Sequence, residues 1–348
     1  MPDDPANLPL ASDQHTDPQV GRYVGLLVIG DPHLEGRTPG FRRDNYPEVI
    51  LEKFEWCLRY AQANRLLPTL LGDLFDKPRD NPTWMLGSLI DMLTGVECIG
   101  IYGNHDCAEP QLTHHDSLSL LVKAGRLRLL DNKPWRGCMN GRAVIIGGSS
   151  YRQAIPELFV AEESAASEES NVTAAPPLVF WLTHHDVIVP GYEEQGRLET
   201  RSIDRIDLVI NGHIHRRLGD VQRDQTLWIT PGNISRRTRS DASRDHVPSV
   251  LRIDINNHGS RPGYERRIIE VPHQPFDDVF HPELLDAAAD ADAGSSAFVA
   301  GLRELQARRT EGGAGLMSFL EKNLRQFDDD VAAEIRQLAK EVTNNGDE

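Results

Sequence analysis

Residues 24–33 read VGLLVIGDPH, an apolar run that ends in Gly30 and is followed by Asp31 and His33. A short aliphatic and β-branched run that stops at a glycine predicts a buried strand. The chain contains five apolar runs that end in glycine or another turn residue, and each leads into a motif that carries histidine, aspartate or asparagine. The motifs are DPH at 31–33, GDLFD at 72–76, GNHD at 103–106, THH at 183–185 and GHIH at 212–215.

Helical patterns separate the first of these runs. Apolar residues recur at three- and four-residue spacing over 49–61, and again over 86–93 behind Asn81 and Pro82, a pair typical of a helix start. Further strand patterns follow at 143–146, 226–230, 250–255 and 267–271. Alternating strands and helices predict a βαβ core. We therefore expect an α/β fold, a four-layer α/β/β/α sandwich of two mixed sheets flanked by helices, with a short helical C-terminal extension.

Composition divides the chain into three parts. Residues 1–20 are rich in aspartate and proline and predict a disordered acidic arm, and residues 21–272 predict the folded domain. Within that domain, the alanine-, serine- and glutamate-rich stretch 161–177 predicts a flexible insertion. Residues 273–348 predict an acidic helical region, because their apolar residues recur with helical spacing.

The formal net charge of −16 argues against a free-standing protein that coats nucleic acid nonspecifically. The charge is uneven, however, since residues 216–244 hold seven arginines against three aspartates. No stretch approaches the roughly 18 apolar residues of a membrane span, and the start of the chain lacks a signal-peptide pattern. We therefore expect a cytoplasmic protein without a membrane role, whose four cysteines are reduced thiols.

The five motifs predict a site for two divalent metal ions. Loops at the carboxyl ends of strands in an α/β sheet gather at one edge, so side chains far apart in sequence can converge there. Two ions about 3.5–4 Å apart can activate a water molecule as nucleophile, and a bridging carboxylate offsets the repulsion between them. We assign Asp73 as that bridge. We assign Asp31, His33 and His215 to the first ion, and Asn104, His184 and His213 to the second.

Three further residues have predicted roles beside the ions. His105 neighbours a predicted ligand and is placed to hydrogen-bond a phosphate oxygen or to protonate the leaving oxygen. Asp106 is expected to orient His105, and Asp76 to support a ligand or fix its loop. In the double histidine of the fourth motif, His184 is preferred to His185 as the ligand because it comes first after the apolar run.

The ordered motifs, over roughly residues 22–235, resemble those of the calcineurin-like metallophosphoesterase superfamily. The forms GDLFD and GNHD are most similar to its nuclease branch, the SbcD exonuclease subunit and its relatives, whereas serine/threonine phosphatases usually read GDYVDRG and GNHE. The resemblance implies two sheets flanked by helices, manganese-dependent phosphodiester cleavage and an ATPase partner. It also implies the ligand roles given above and a transition-state role for His105.

On that resemblance we expect a DNA exonuclease or endonuclease subunit that works with an SbcC-type ATPase in DNA repair, recombination or replication, in a bacterial or phage-infected cytoplasm. The two ions are expected to be Mn, with Fe, Zn or Mg as alternatives, and a homodimer stays open. A phosphatase or small-molecule phosphodiesterase on the same fold is the first alternative, and a non-catalytic scaffold that regulates an ATPase is the second. Candidate contacts to the DNA backbone are Arg37, Arg42, Arg43, Arg236 and Arg237.

Overall fold

The computed structural model describes residues 22–131, 133–160, 176–256 and 262–281. The predicted acidic arm at 1–20 lies outside these residues, as do all but the last two residues of the insertion predicted at 161–177. The predicted helices of the C-terminal region also lie outside them, because they fall beyond residue 281.

The described residues form fourteen strands and five helices. The strands are β1 (Gly25–Ile29), β2 (Leu66–Leu70), β3 (Ile99–Gly100), β4 (Arg128–Leu129), β5 (Trp135–Met139), β6 (Arg142–Ser149), β7 (Leu178–Thr183), β8 (Val187–Ile188), β9 (Leu198–Glu199), β10 (Leu208–Asn211), β11 (Val221–Arg223), β12 (Thr226–Ile229), β13 (Ser249–Ile255) and β14 (Tyr264–Glu270). The helices are α1 (Tyr46–Ala63), α2 (Thr83–Met92), α3 (Ser117–Lys123), α4 (Asp241–Asp245) and α5 (Phe276–Val279).

Twelve of these strands form two mixed sheets. The first sheet has the order β14-β13-β1-β2-β3-β4, in which β1 to β4 run parallel and β13 and β14 pair antiparallel at one side. The second has the order β11-β12-β10-β7-β6-β5, in which β12, β10, β7 and β6 run parallel between two antiparallel edge strands. The predicted fold class is confirmed.

The two faces of each central strand pack against different partners, which explains why the strand sequences are apolar throughout. In β1, Leu26 and Val28 join the cluster between the sheets, where they meet residues of the second sheet such as Phe180. The alternate residue Leu27 belongs to the cluster that includes Phe54 of α1. Helices α1, α2 and α3 all contribute buried residues to the cluster that contains Leu27 and Phe54, so they flank the first sheet.

The outer face of the second sheet is covered differently. Strand residues such as Val179 and Val209 pack there against Phe159, Ile203 and Ile214 from the loops between strands. Among the described residues, this apolar cluster contains no helical residue. The loops carry the apolar side chains that a flanking helix would otherwise supply.

Helix α2 begins one residue later than its sequence pattern suggests, because Pro82 precedes the first helical residue instead of occupying it. The Asn81 side chain does not cap the helix. Its amide instead donates to the carbonyl oxygen of Lys77 (2.8 Å) and to Ser117 Oγ (3.0 Å). Asn81 therefore fixes the loop between the second motif and α2.

The chain divides into two compact units. The first comprises the described parts of Met1–Thr38, Asp44–Arg236 and Asp241–Pro275, and contains both sheets. The second comprises the described parts of Pro39–Arg43, Arg237–Ser240 and Phe276–Glu348. Its apolar cluster consists of Phe41, Phe276, Val279 and Phe280.

None of the described helices combines the length and the apolar character that crossing a bilayer requires.

Candidate metal centre

The predicted ligands lie just beyond the carboxyl ends of five parallel strands. Asp31 and His33 follow β1, Asp73 follows β2 and Asn104 follows β3, all in the first sheet. The remaining ligands come from the second sheet, where His184 follows β7, and His213 and His215 follow β10. The stacked sheets thus bring together side chains that are up to 184 positions apart, as Asp31 and His215 show.

Four of the predicted ligands form what we call the first group, which comprises Asp31, His33, Asp73 and His215. Each offers one ligand atom within 4.8 Å of the others. The Nε2 atoms of His33 and His215 are 2.9 Å apart. Two nitrogens bound at right angles to one ion, each at about 2.1 Å, would be separated by about 3 Å, so this spacing suits a shared cation.

A second group comprises Asp73, His184 and His213, whose ligand atoms also lie within 4.8 Å of one another. The Asn104 side chain lies beside it, with Oδ1 3.1 Å from His184 Nε2 and 3.0 Å from His213 Nδ1. Asp73 belongs to both groups, which is the position that a bridging carboxylate must occupy. The structure therefore brings all seven predicted ligands together, in the two sets that the sequence suggested.

The chemistry of the groups fits two divalent cations. Asp31 Oδ2 and Asp73 Oδ2 are buried and have no hydrogen-bond partner among the described residues. Buried polar atoms of this kind are costly unless something compensates them. Burial, and then the negative charge of Asp73, raises the pKa of Asp31 well above its usual range. Cations between these oxygens would supply the missing partner, and mixed oxygen and imidazole ligands suit Mn, Fe or Zn.

Four of the ligands have a left-handed backbone, with φ of 36° at Asp31, 48° at His33, 47° at Asp73 and 69° at His213. Residues other than glycine seldom adopt this conformation, which costs on the order of 1–3 kcal/mol each and concentrates at functional sites. Here the sharp turn lets the chain leave its strand and aim a side chain into the cluster.

Gly103, which precedes Asn104, has no room for a side chain. A Cβ built there would overlap the Asp73 carboxylate and lie 2.6 Å from Cε1 of His184. The glycine therefore permits the close approach of the third motif to the shared carboxylate.

His105 lies beside the cluster and is partly accessible, with 21% of its side chain exposed. Its backbone N–H donates to Asp73 Oδ1 (2.8 Å), and its Nδ1 lies 2.8 Å from the carbonyl oxygen of Asp76. A proton on Nδ1 would be donated to that carbonyl, which fixes the ring and leaves Nε2 for a substrate. The Asp76 carboxylate also lies 3.6 Å from His33 Nδ1, as expected of a group that supports a ligand.

Asp106 does not orient His105, and that part of the prediction was wrong. Its fully buried carboxylate accepts hydrogen bonds from the backbone N–H groups of Gly103 (3.0 Å) and Phe75 (3.1 Å). Burial, and then the charge of Asp73, raises its pKa to about 7. Asp106 therefore ties the second and third motif loops together, and the carbonyl of Asp76 takes the orienting role.

The two histidines of the fourth motif, His184 and His185, point in different directions and have different contacts. His184 lies in the second group, and its Nδ1 is 2.7 Å from the carbonyl oxygen of Leu71, which leaves Nε2 toward Asp73 at 3.3 Å. His185 turns elsewhere, with Nε2 2.9 Å from the carbonyl oxygen of Gln153. Burial lowers the pKa of His185 to about 4, so its ring stays neutral near pH 7.

Sequence reasoning missed Asp186, which supports His213. Its Oδ1 lies 2.8 Å from His213 Nε2, on the opposite side of the ring from Asn104. Burial would raise the pKa of Asp186, but the hydrogen bond and charge of His213 hold it below its usual range. A carboxylate on the outer nitrogen fixes the orientation and tautomer of a metal-binding histidine. An acidic residue two positions after His184 was the available signal.

The predicted DNA-contacting arginines differ in their surroundings. Arg37 and Arg43 are exposed, and Arg237 is partly buried. In the second unit, the guanidinium of Arg42 is buried and stacks 5.1 Å from the Phe280 ring. Arg236, in the first unit, is also buried and donates to the carbonyl oxygens of Gln274 (3.0 Å) and His246 (2.6 Å). That placement makes Arg236 a structural residue and gives no support to a substrate contact.

A sandwich of two mixed sheets, with an Asp/His/Asn cluster that suits two cations at one edge, defines a metal-dependent phosphoesterase. Residues 25–217 match the family model described as calcineurin-like phosphoesterase, and the chain belongs to that family, which typically binds two divalent metal ions. The resemblance seen in the motifs is thereby confirmed at the level of the superfamily.

No curated protein matches the chain. The solved structures that are similar to it include two at low sequence identity. Phosphopantetheinyl hydrolase (PptH) from Mycobacterium tuberculosis has 12% identity and a TM-score of 0.36, over 64% of this chain and 95% of that one. Sulfate thiohydrolase SoxB from Thermus thermophilus, in complex with glycerol, has 13% identity and a TM-score of 0.36, over 72% of this chain and 54% of that one.

Proposed function

We propose that this phosphoesterase is a manganese-dependent DNA nuclease subunit that works with an SbcC-type ATPase. The motif forms GDLFD and GNHD, which resemble those of the nuclease branch, support the choice of substrate and partner. The observation that carries the hydrolytic part is the pair of ligand groups that share Asp73, with the partly accessible His105 beside them.

Two divalent cations, when bound, supply Lewis acidity toward the phosphate oxygens and an activated water nucleophile. Asp73 holds the shared position, and Asp31, His33 and His215 complete the first group. His105 needs a fixed ring to act on the leaving oxygen, and the Asp76 carbonyl provides it at Nδ1. A protonated His105 then has Nε2–H available to donate to the leaving 3′-oxygen.

The test offers the purified protein, loaded with Mn, two substrates in parallel. Linear duplex DNA reports nuclease activity, and p-nitrophenyl phosphate esters report general phosphoesterase activity. We expect DNA cleavage that requires Mn and stops with a chelator, and an Asp73→Asn variant provides the matched inactive control. Ester hydrolysis with no DNA cleavage, alone or with an ATPase partner added, would reject the nuclease proposal.

A phosphatase or small-molecule phosphodiesterase is the second candidate, and the net charge of −16 favours it. An acidic surface repels the DNA backbone but has less effect on a small ester. The same paired assay separates the candidates, because this alternative requires higher kcat/KM on the small esters than on DNA at every ionic strength.

A further inference from the structure

The turn that follows β6 lies against the metal centre, although no motif marks it. The Tyr151 ring is stacked near His213, with 6.4 Å between ring centroids and 26° between planes. It also meets His184 edge-on at 6.5 Å. The guanidinium carbon of the next residue, Arg152, lies 5.4 Å from the Tyr151 ring centroid. Two histidines of the second group, one tyrosine and one arginine therefore form a continuous contact series.

This turn is held by hydrogen bonds to the loops of the metal centre. The backbone N–H of Tyr151 donates to the carbonyl oxygen of Tyr102 (3.1 Å), next to the third motif. Ser150 Oγ donates to Asp131 Oδ1 (2.6 Å), and His185 Nε2 lies 2.9 Å from the Gln153 carbonyl oxygen. A turn fixed in this way presents its side chains in a defined position, which reduces the cost of ordering them when a ligand binds.

Arg152 has a feature common at ligand sites. It is exposed, and its φ of +65° lies in the left-handed region. It makes no hydrogen bond or ion pair with any described residue. Asp73, Asp31 and Asp186 therefore all lie beyond ion-pair distance from its guanidinium. Its five N–H donors remain open to an anionic ligand.

Arg152 directly follows Tyr151, whose backbone N–H is bonded to the residue before the third motif. Arg152 thus lies where the third motif and the β6 turn meet.

We propose that Tyr151 and Arg152 form a subsite for a second phosphate of the substrate, adjacent to the phosphate that is cleaved. The Arg152 guanidinium binds the second phosphate through charge-assisted hydrogen bonds, and Tyr151 holds the guanidinium by cation–π stacking. The inference rests on the proposed nuclease function, since a nucleic-acid strand presents successive phosphates. Tyr151 and Arg152 would bind the phosphate next to the one that is cleaved.

The experiment compares substrates that differ by one phosphate. The dinucleotide TpT has a single phosphate, and pTpT and TpTp each have a second one, on opposite sides. We measure kcat/KM for all three, with Mn, for the wild type and for Arg152→Ala, Arg152→Lys and Arg205→Ala. Arg205 is the matched control, because it is also exposed and has a φ of +63°. It precedes the amino end of β10, whereas the metal ligands follow the carboxyl ends of the strands. Any strain of alanine in a left-handed position is common to both sites.

We expect wild-type protein to prefer pTpT or TpTp to TpT. Arg152→Ala should reduce that preference about 10- to 100-fold, the usual effect of removing a hydrogen bond to a charged group. Arg152→Lys should restore part of it, and Arg205→Ala should retain all of it. In Arg152→Ala, a plot of the logarithm of this preference against the logarithm of salt concentration should have a slope about one unit smaller in magnitude than in the wild type.

Two results bear differently on the two proposals. If wild-type protein hydrolyses nitrophenyl esters but cleaves neither the three dinucleotides nor linear duplex DNA, alone or with an ATPase partner added, the nuclease function fails. If it cleaves them and Arg152→Ala retains the same preference as Arg205→Ala, the subsite fails while the nuclease function stands. An equal loss on TpT and on the longer substrates would also overturn the subsite, because Arg152 would then act on the cleaved phosphate or on the fold.

Discussion

The two sheets contribute different chemistry to the same centre. Loops of the first sheet supply the buried carboxylates Asp31, Asp73 and Asp106, all at most 1% exposed. Loops of the second sheet supply imidazoles, those of His184, His213 and His215. The first-sheet half therefore contributes three carboxylates removed from water, beside His33 and Asn104, whereas the second-sheet half contributes only imidazole ligands.

The difference shows in how each half responds to burial. Burial raises the pKa of Asp106 to about 7 and raises that of Asp31 well above its usual range. Burial lowers the pKa of His215 to about 3, so that ring is neutral and able to bind a metal near pH 7. Cations would relieve the repulsion between the first-sheet carboxylates, and His215 in the second-sheet half would bind a cation without first losing a proton.

Substituting Asp73 should have the largest effect, because both groups share this residue. Asp73→Asn should reduce hydrolysis more than about 10⁴-fold, since losing both ions removes several kcal/mol of transition-state stabilisation. Metal analysis after dialysis should find neither ion retained, while Asp91→Asn, on the exposed face of α2, retains both. A variant that still holds two ions per chain would show that the halves do not meet at Asp73.

His105 should affect the reaction without affecting either half of the metal set. His105→Ala should reduce hydrolysis about 10²–10⁴-fold, because the proton donor to the leaving oxygen is lost. Metal content should remain at the wild-type value. The exposed His114 provides the control substitution, His114→Ala. Wild-type rates in His105→Ala would refute its role, and loss of metal would assign it to the ligand set instead.

Asp186 tests the second-sheet half alone. Asp186→Asn should weaken binding of the second ion about 10–100-fold, because the ring of His213 loses the charge that orients it. Binding of the first ion should change much less, since neither Asp186 nor His213 belongs to the first group. Titration of apoprotein with Mn should resolve the two affinities, with Asp204→Asn as the control. Equal weakening of both ions would mean that the two positions are not independently supported.

The smallest effect concerns the first-sheet half in metal-free protein. Asp106 has a pKa of about 7 in the folded protein and about 3.9 in the unfolded chain. Between these two pH values, folding therefore takes up a proton at Asp106. Its contribution to stability is therefore present at low pH and is lost as the pH rises from about 4 to 7. Relative to the wild type, Asp106→Asn should gain up to about 1.4 kcal/mol of unfolding free energy per pH unit in that window. Urea unfolding with a chelator measures this, and parallel curves for the two proteins would contradict it.

The sequence predicted the fold and the ligand set because both depend on local patterns. Apolar runs that end at a glycine or another turn residue mark strand ends, and five of these ends carry the predicted ligands. The short strands β4, β8 and β9 were weaker signals, because each has only two residues and its pairing depends on its neighbours. The loops that cover the outer face of the second sheet have no regular secondary structure, so their apolar residues form no periodic pattern.

Second-layer contacts were harder to predict, since they depend on side-chain direction across distant loops. Asp106 was assigned to its neighbour His105, but its carboxylate points back to Gly103 and Phe75. Asp186 and Tyr151 were missed, because the histidine that each contacts, His213, lies on a different loop. These contacts become apparent only when the two sheets are stacked.

The left-handed backbone at Asp31, His33, Asp73 and His213 has a consequence for how this protein tolerates genetic variation. Such positions accept glycine, asparagine, aspartate and histidine far more readily than valine, isoleucine or threonine. A β-branched replacement there would misdirect the chain at a strand end as well as delete a ligand. In a saturation library scored for folded protein alone, with no selection for catalysis, these four codons should still show a narrow set of permitted residues.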